Sequence, residues 1–339
     1  MRVVAMRPEE STLHQQARTD ISYDTYVSAS TRGLEIEGAR WHLCANRVQY
    51  QACNFAIPDS DPNHLCVSCR QTRWVPDLSI PANLRRWQLI ENAKRRLFYT
   101  LAKLHLTALH GIAAPNFEFL ADIPGSPPVM TGHLSGTIVL NVAEADDDER
   151  ARRRMELHEP YRTLLGHLRH ESGHFYWDIL IRDYPEKLDA FRQIFGDERK
   201  DYAQSLQAHY AIGPAGPVGW QDNYISAYAT SHPWEDWAET WAHYLHLVDL
   251  METASDYQTQ ITTPGSGRTH CIHDPFAISA PPFHEMLSSW IPLTLLLNSL
   301  NRSLGQQDAY PFAISMNAVA KLEFIHNLLL PLRHRPLQS

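Results

Sequence analysis

One stretch of the chain repeats apolar and polar residues with the period of a buried helix. No proline interrupts it from Tyr161 to Ile181, and Pro160 suits the first turn of a helix. Apolar residues recur there at the spacing of one helix face: Leu164, Leu165, Leu168, Phe175 and Ile179. This pattern predicts a helix with one side turned to the protein core.

The same helical period recurs along much of the chain. A regular apolar stripe predicts a long helix from Leu84 to Leu109. Five more helices are predicted downstream, at about 186–196, 198–211, 233–254, 282–303 and 314–332. Residues 255–280 lack this period, and we expect a loop there.

Alternating apolar residues predict a small sheet before the helix at 161–181. One strand is predicted at Phe117–Leu120, and 129–133 with 137–142 predict a hairpin that turns at Ser135-Gly136. A short strand is also expected near Gly33–Ile36. The chain is therefore predicted to be an α+β protein, mostly helical, with a small antiparallel sheet.

Changes in composition divide the chain into three predicted segments. Residues 1–40 are polar and lack strong periodicity, which is typical of an arm. Residues 41–80 contain four cysteines and little helical pattern, and predict a small metal-held module. The composition changes again at Pro81, so we expect the main domain to occupy residues 81–339.

The overall composition indicates an ordinary globular protein. Apolar residues make up 44% of the chain and charged residues 20%, which argues against a disordered protein. The net charge of −8 argues against nucleic acid as a partner. No stretch resembles a signal peptide or a membrane span. We therefore expect a cytoplasmic protein that binds neither membranes nor nucleic acid.

The predicted helix at 161–181 carries the sequence His170-Glu171-Ser172-Gly173-His174. Two histidines four residues apart lie on the same helix face, at the spacing with which both can bind one zinc ion. Glu171 follows the first histidine, where its carboxylate can serve as general base toward a water. Two helix histidines with Glu171 at a hydrated surface are the structural alternative. The buried character of this helix favours metal binding.

A catalytic zinc usually has three protein ligands, so the third must come from elsewhere. Glu235 and Glu239 lie four residues apart on an aromatic-rich predicted helix, where a buried carboxylate needs a cation or a donor. We expect Glu235 to bind zinc and Glu239 to accept the second ring N–H of a ligating histidine. Surface ion pairs are the alternative for both acids, and His243 and His246 are alternative ligands.

Tyr228 lies in the segment that leads into the helix carrying Glu235. A tyrosine hydroxyl at this place could stabilise the oxyanion that develops during hydrolysis. The structural alternative is a loop aromatic packed against its neighbours. His232, four residues later, competes for the same catalytic role.

Four of the five cysteines are crowded together: Cys44, Cys53, Cys66 and Cys69. The pair Cys66-x-x-Cys69 is typical of a zinc knuckle, whereas the eight residues between the first two are not. We expect a structural zinc at these four cysteines, with a reduced, packed cluster as the alternative. His42 and His64 could substitute as ligands. Cys271 stands apart and is interpreted as structural.

Together these motifs resemble a known group of enzymes. His170-Glu171-x-x-His174, followed about sixty residues later by Glu235-x-x-Ala238-Glu239, resembles the gluzincin pattern of lethal-factor-like peptidases. In that group a tyrosine seven residues before the ligand glutamate assists catalysis, and Tyr228 has that position. The resemblance thus implies a zincin-like fold and a catalytic role for Tyr228.

More specifically, residues 40–335 are similar to a bacterial family of zinc-binding metallopeptidases with an N-terminal zinc ribbon. Among the phrases that carry the likeness are Leu65-Cys66-Val67-Ser68-Cys69-Arg70, Val129-Met130-Thr131-Gly132-His133, Glu159-Pro160-Tyr161-Arg162-Thr163-Leu164-Leu165-Gly166-His167 and Trp234-Glu235-Asp236-Trp237-Ala238-Glu239. One departure stands out. Family members usually begin with a further pair of Cys-x-x-Cys knuckles, whereas residues 1–40 here contain no cysteine.

The predicted function is therefore that of a zinc-dependent peptidase acting on a peptide or protein substrate. It would use one catalytic zinc, with a second, structural zinc at the cysteines. The alternative is a non-catalytic adaptor that binds a protein partner through the cysteine module. A third hypothesis is a hydrolase of non-peptide amides. Glu171 separates the first two, because a purely structural zinc site has no use for that carboxylate.

Overall fold

A computed structural model describes residues 4–5, 34–36, 39–107, 111–146, 163–213, 215–310 and 313–334. Most of the predicted arm, the acidic residues after Asp146 and the predicted helix start at Pro160 lie outside these ranges. The described part is α+β and mostly helical, as predicted. It forms two compact units. One contains the described residues up to Asp146, Thr163–Phe175 and the residues from Leu332 onward, and the other contains Tyr176–Pro331.

The first unit begins with a four-stranded sheet around the cysteine segment. Its strands are β1 (Val4–Ala5), β2 (Leu34–Ile36), β3 (Ala39–Leu43) and β4 (Phe55–Pro58), in the order β1-β4-β3-β2. β1 runs parallel to β4, and the other pairs are antiparallel. The strand predicted near Gly33–Ile36 is confirmed as β2. A short helix, α1 (Ala45–Tyr50), was not predicted, because six residues are too few to show a helical period.

The long predicted helix is confirmed as α2 (Pro81–Lys103). Pro81 occupies its first turn, where a missing N–H costs nothing. The core-facing side chains Trp87, Ile90, Leu97 and Leu101 are buried. The helix ends at Lys103, six residues before the predicted end, because His105 has a φ of 60°, which lies outside the right-handed helical region.

A second sheet in this unit contains the predicted hairpin. Its strands are β5 (Thr72–Trp74), β6 (Asn116–Leu120), β7 (Gly132–Leu134) and β8 (Thr137–Asn141). β7 pairs antiparallel with β8. The two turn residues, Ser135 and Gly136, have φ angles of 49° and 81°, as the favoured two-residue hairpin turn requires. The predicted hairpin is confirmed.

The expectation that this sheet is antiparallel is wrong for its other pairs. The strand order is β5-β6-β8-β7, and both β5–β6 and β6–β8 are parallel. Phe117 lies opposite Ile138 and Phe119 opposite Leu140, and all four side chains are buried. An alternating pattern shows which face of a strand is buried, but it does not show which strand becomes the neighbour.

The helix at 161–181 is confirmed as α3 (Leu164–Trp177), and a π-helical turn (Asp178–Arg182) continues it. The other predicted helices are confirmed with small boundary shifts, as α4 (Pro185–Phe195), α5 (Tyr202–Ile212), α6 (Pro233–Asp256), α7 (Phe283–Ser303) and α8 (Met316–Leu329). Among the described helices, none combines the length and apolar character that a bilayer crossing needs.

The loop expected at 255–280 contains a small antiparallel ribbon of β9 (Gln260–Thr262) and β10 (Thr269–Cys271). The expectation was wrong here because three-residue strands are too short to show alternation. The second unit has an aromatic core. Trp237 and Trp241 of α6 are fully buried, and Phe191 and Phe195 of α4 pack against Trp237.

Candidate metal centres

Helix α3 presents the two motif histidines together. The rings of His170 and His174 lie one turn apart, with centroids separated by 5.0 Å. His174 and Glu171 are buried, with 7% and 6% of their surfaces exposed, and His170 is half-buried. The motif therefore does not lie on a hydrated helix face, which was the structural alternative.

Glu235 and the two histidines form one group of side chains that could hold a metal ion. One ligand atom from each of His170, His174 and Glu235 lies within 4.8 Å of the other two. Two imidazoles and one carboxylate form a donor set that is typical of catalytic zinc, which keeps a fourth position for water. These residues fit a zinc ion by the chemistry and the spacing of their donors. The convergent group includes neither His243 nor His246.

Glu235 is held by a residue that the sequence analysis did not single out. The carboxylate is 99% buried in the first turn of α6, where the helix dipole favours negative charge. The Tyr202 hydroxyl of α5 donates a hydrogen bond of 2.7 Å to Glu235 Oε1. No sequence signal links the two, because they are 33 residues apart on different helices.

Glu239 was expected to orient a ligating histidine. Its carboxylate accepts a hydrogen bond of 2.6 Å from the Ser226 hydroxyl, which also accepts the backbone N–H of Ala229. Glu239 thereby fastens the segment 226–229, which contains Tyr228. A hydrogen bond between Glu239 and a ligating histidine stays a prediction.

The contacts of the segment before α6 distinguish Tyr228 from His232, the other candidate for the catalytic role. His232 caps the start of α6: its Nδ1 accepts the backbone N–H of Trp234, while its Nε2 lies 3.1 Å from the Lys200 carbonyl. Both ring nitrogens thus contact backbone atoms, which argues against a catalytic role for His232. Tyr228 lies in a short 3₁₀ turn with its ring 5.8 Å from that of His209. Its catalytic role stays a prediction.

A histidine one turn before Glu171 contacts this carboxylate. His167 Nε2 lies 3.2 Å from Glu171 Oε1, and His167 Nδ1 lies 2.6 Å from Glu144 Oε2. Burial raises the pKa of Glu171, but the hydrogen bond from His167 and the positive charges of nearby histidines outweigh it, so that the net pKa is below the ordinary value. Glu171 is therefore ionised at neutral pH, as a general base must be.

The four clustered cysteines converge on a second site. Their sulfurs all lie within 4.8 Å of one another: Cys44, Cys53, Cys66 and Cys69. Cys53 and Cys66 Sγ are 3.7 Å apart, close to the roughly 3.8 Å edge of a zinc–thiolate tetrahedron with Zn–S bonds of ~2.3 Å. None of the five cysteines forms a disulfide. The four-sulfur donor set fits a structural zinc.

Backbone N–H groups donate hydrogen bonds to the sulfurs of this cluster. The backbone N–H groups of Phe55, Cys66 and Cys69 each donate to a cysteine sulfur at 3.4 Å. Hydrogen bonds from the other three thiols lower the pKa of Cys44, so one sulfur loses its proton readily. Burial raises the pKa of Cys53 and Cys66, and these protons would leave on metal binding.

The cysteine cluster is built into the first unit. Its buried core includes Tyr99 and Ala102 of α2. The Cys69 sulfur lies 3.9 Å from Glu91 Oε2, and Glu91 forms a fully buried ion pair of 2.9 Å with Lys94. The four cysteines therefore pack directly against α2.

Known families match both parts of the chain. Residues 83–328 match the family model described as "Putative zinc-binding metallo-peptidase", and residues 3–80 match a zinc-ribbon domain. Uncharacterized proteins of Mycobacterium tuberculosis and Mycobacterium bovis are 40% identical over 294 residues, which covers 85% of this chain and 82% of theirs. No solved structure matches the chain significantly.

These matches confirm the family resemblance predicted from the sequence. The metallo-peptidase model spans well over half of the chain, and it contains the histidine pair of α3 and the acidic residues of α6. The zinc-ribbon model contains all four clustered cysteines. The chain therefore belongs to this family of zinc-binding metallo-peptidases and has a zinc-ribbon domain at its N-terminal end.

Proposed function

We propose that the protein is a zinc-dependent peptidase of the gluzincin type. The observation that carries the proposal is the buried, ionised carboxylate of Glu171 within a turn of His170 and His174. Burying a carboxylate is costly. A general base is a reason to keep a carboxylate at such a place, whereas a purely structural zinc site has no use for one.

In this proposal His170, His174 and Glu235 hold the catalytic zinc. Bound there, zinc would act as a Lewis acid and lower the pKa of water. Glu171 takes the proton of the attacking water and later passes it to the leaving amine. The Tyr228 hydroxyl donates a hydrogen bond to the developing oxyanion. The second zinc, at the four cysteines, is structural.

The substrate class is a peptide or protein in an extended conformation. Among the described strands, β7 lies at the edge of its sheet and pairs only with β8. An edge strand offers backbone N–H and C=O groups to a further strand. Leu134 of β7 and the neighbouring Met130 are 77% and 78% exposed, so apolar side chains accompany that edge. His133, also of β7, packs its ring edge-on against Phe175 of α3, which fixes the strand beside the motif helix.

We further propose a reducing compartment such as the cytoplasm. All five cysteines are free thiols, and four of them are close enough together to be oxidised in pairs. A zinc–thiolate site is stable where disulfides do not form. No nucleic-acid role is proposed, because the net charge is −8.

The test combines metal analysis with an unbiased peptide-library cleavage assay. The wild-type protein should contain zinc and cleave a subset of peptides, and Glu171→Gln should keep the zinc and lose hydrolysis. Glu186→Gln, on the exposed start of α4, is the matched control and should retain both. Unchanged hydrolysis in Glu171→Gln would contradict the peptidase mechanism. A zinc-loaded wild type that cleaves nothing would favour the adaptor alternative.

A further inference from the structure

His167 occupies a place that the proposed mechanism has not used. It lies on α3 four residues before Glu171, about one helical turn away. Its ring lies between the buried carboxylates of Glu144 and Glu171. Only 11% of its side chain is exposed, against 2% for Glu144 and 7% for Glu171. Glu144 comes from a different element, the 3₁₀ turn Val142–Ala145 that follows β8.

The hydrogen bonds that hold Glu144 have a defined direction. The backbone N–H of Asn141 donates to Thr131 Oγ1 at 3.1 Å, and the Thr131 hydroxyl donates to Glu144 Oε1 at 2.6 Å. Glu144 Oε2 is then left to accept from His167 Nδ1, at 2.6 Å. With the other oxygen of Glu144 bound to Thr131, this geometry assigns His167 Nδ1 as the donor and Glu144 Oε2 as the acceptor.

The other side of the ring faces the general base. His167 Nε2 lies 3.2 Å from Glu171 Oε1, so one proton is held between these two atoms. This contact occupies Oε1 and leaves Oε2 to accept the proton of the attacking water. A glutamate has three side-chain torsions, and a fixed donor on one oxygen removes most of that freedom.

We propose that His167 is a positioning residue for Glu171, and that Glu144 and Thr131 hold His167 in turn. The proposal deepens the proposed function and rests on it, since it assigns Glu171 its partner. Thr131 directly precedes the edge strand β7, so the chain of hydrogen bonds connects the hairpin to the general base. This role could not be predicted from the sequence, because Glu144 is 23 residues away from His167.

The first test is nuclear magnetic resonance of the imidazole nitrogens, which needs no substrate. His167 should show protons on both ring nitrogens, or one proton shared with Glu171, at neutral pH. Glu144→Gln should shift the Nδ1 signal and Glu171→Gln the Nε2 signal. Glu118→Gln, on β6 of the same sheet, is the control and should shift neither. An Nε2 signal that does not respond to Glu171→Gln would overturn the proposal.

The second test uses any peptide that the wild type cleaves. His167→Leu should keep the zinc content and the KM but lower kcat about 10–100-fold, the usual scale for an outer-shell partner. His167→Gln, which keeps a donor, should recover part of this loss. In the Glu171→Gln background, His167→Leu should not lower the small residual rate any further, because both residues act through the same group.

The two tests separate the proposal from the proposed function. An unchanged kcat in His167→Leu, or a loss that adds in full to that of Glu171→Gln, would show that His167 serves stability alone and would overturn the proposal. If the wild type cleaves no peptide, the peptidase function fails, and the nitrogen signals still decide whether His167 holds Glu171.

Discussion

The Tyr202 hydroxyl donates a 2.7 Å hydrogen bond to Glu235 Oε1, and so the candidate zinc ligand on α6 is oriented by α5. A carboxylate that accepts a fixed donor on one oxygen presents the other in a defined direction. This hydrogen bond joins two helices of the second unit. It also offsets part of the free-energy cost of burying the Glu235 carboxylate.

Removing this donor should weaken zinc binding. Tyr202→Phe deletes one oxygen and should lower zinc affinity about 10–100-fold, as losses of outer-shell partners do. Competition titration with a zinc chelator measures the effect. Tyr210→Phe, on the exposed part of the same helix, is the matched control. Equal affinities in the Tyr202→Phe and wild-type proteins would mean that the hydrogen bond does not orient a ligand.

The two glutamates of α6 should respond differently to truncation. Glu235→Ala leaves two histidines and should reduce zinc affinity severely, because one of three protein ligands is lost. Glu239→Ala removes the contact to Ser226 and should cost only about 10–100-fold in affinity or activity. Zinc titration of the two purified variants side by side measures the difference. A larger zinc loss from Glu239→Ala would reverse the assigned roles.

The cysteine site should be separable from the catalytic one. The double variant Cys66→Ser, Cys69→Ser should lose one equivalent of zinc and unfold at lower denaturant concentration, because the cluster is part of the packing against α2. Cys271→Ser, at the exposed fifth cysteine, is the control and should keep both properties. Loss of all zinc in the double variant would refute the division into two sites.

The buried side chain of His243 should make the free energy of unfolding depend on pH. Burial lowers its pKa to about 4, although the charge of Glu239 acts in the opposite direction. Its unfolded pKa is about 6.5, so between these values the unfolded chain binds a proton that the folded protein does not. Stability should therefore fall as the pH falls from about 6.5 to about 4, by roughly 3 kcal/mol from this residue.

Urea unfolding at a series of pH values measures this effect. His243→Gln should remove this part of the pH dependence, although it also loses the 2.6 Å contact with the Tyr310 hydroxyl and is less stable throughout. The exposed His284 supplies the control, and His284→Gln should retain the wild-type slope. Parallel pH profiles for His243→Gln and wild type would show that His243 is not held neutral in the folded state.

Features that depend on neighbouring residues could be predicted from the sequence. The spacing of His170 and His174 places both rings on one face of any α-helix, whatever the rest of the chain does. The hairpin at Ser135-Gly136 follows from a glycine, which accepts positive φ, between two apolar stretches. Cys66 and Cys69 have the spacing that is typical of a zinc knuckle. Each of these features depends only on residues a few positions apart in the sequence.

The tertiary structure decided which distant residues meet. Packing decides the surroundings of Glu235, whose side chain is buried. It also brings Tyr202 to Glu235 and Glu144 to His167, and it inserts β8 between β6 and β7. A local period shows which face of an element is buried. The partner of that face depends on how all the buried faces fit together, which one short stretch of sequence does not contain.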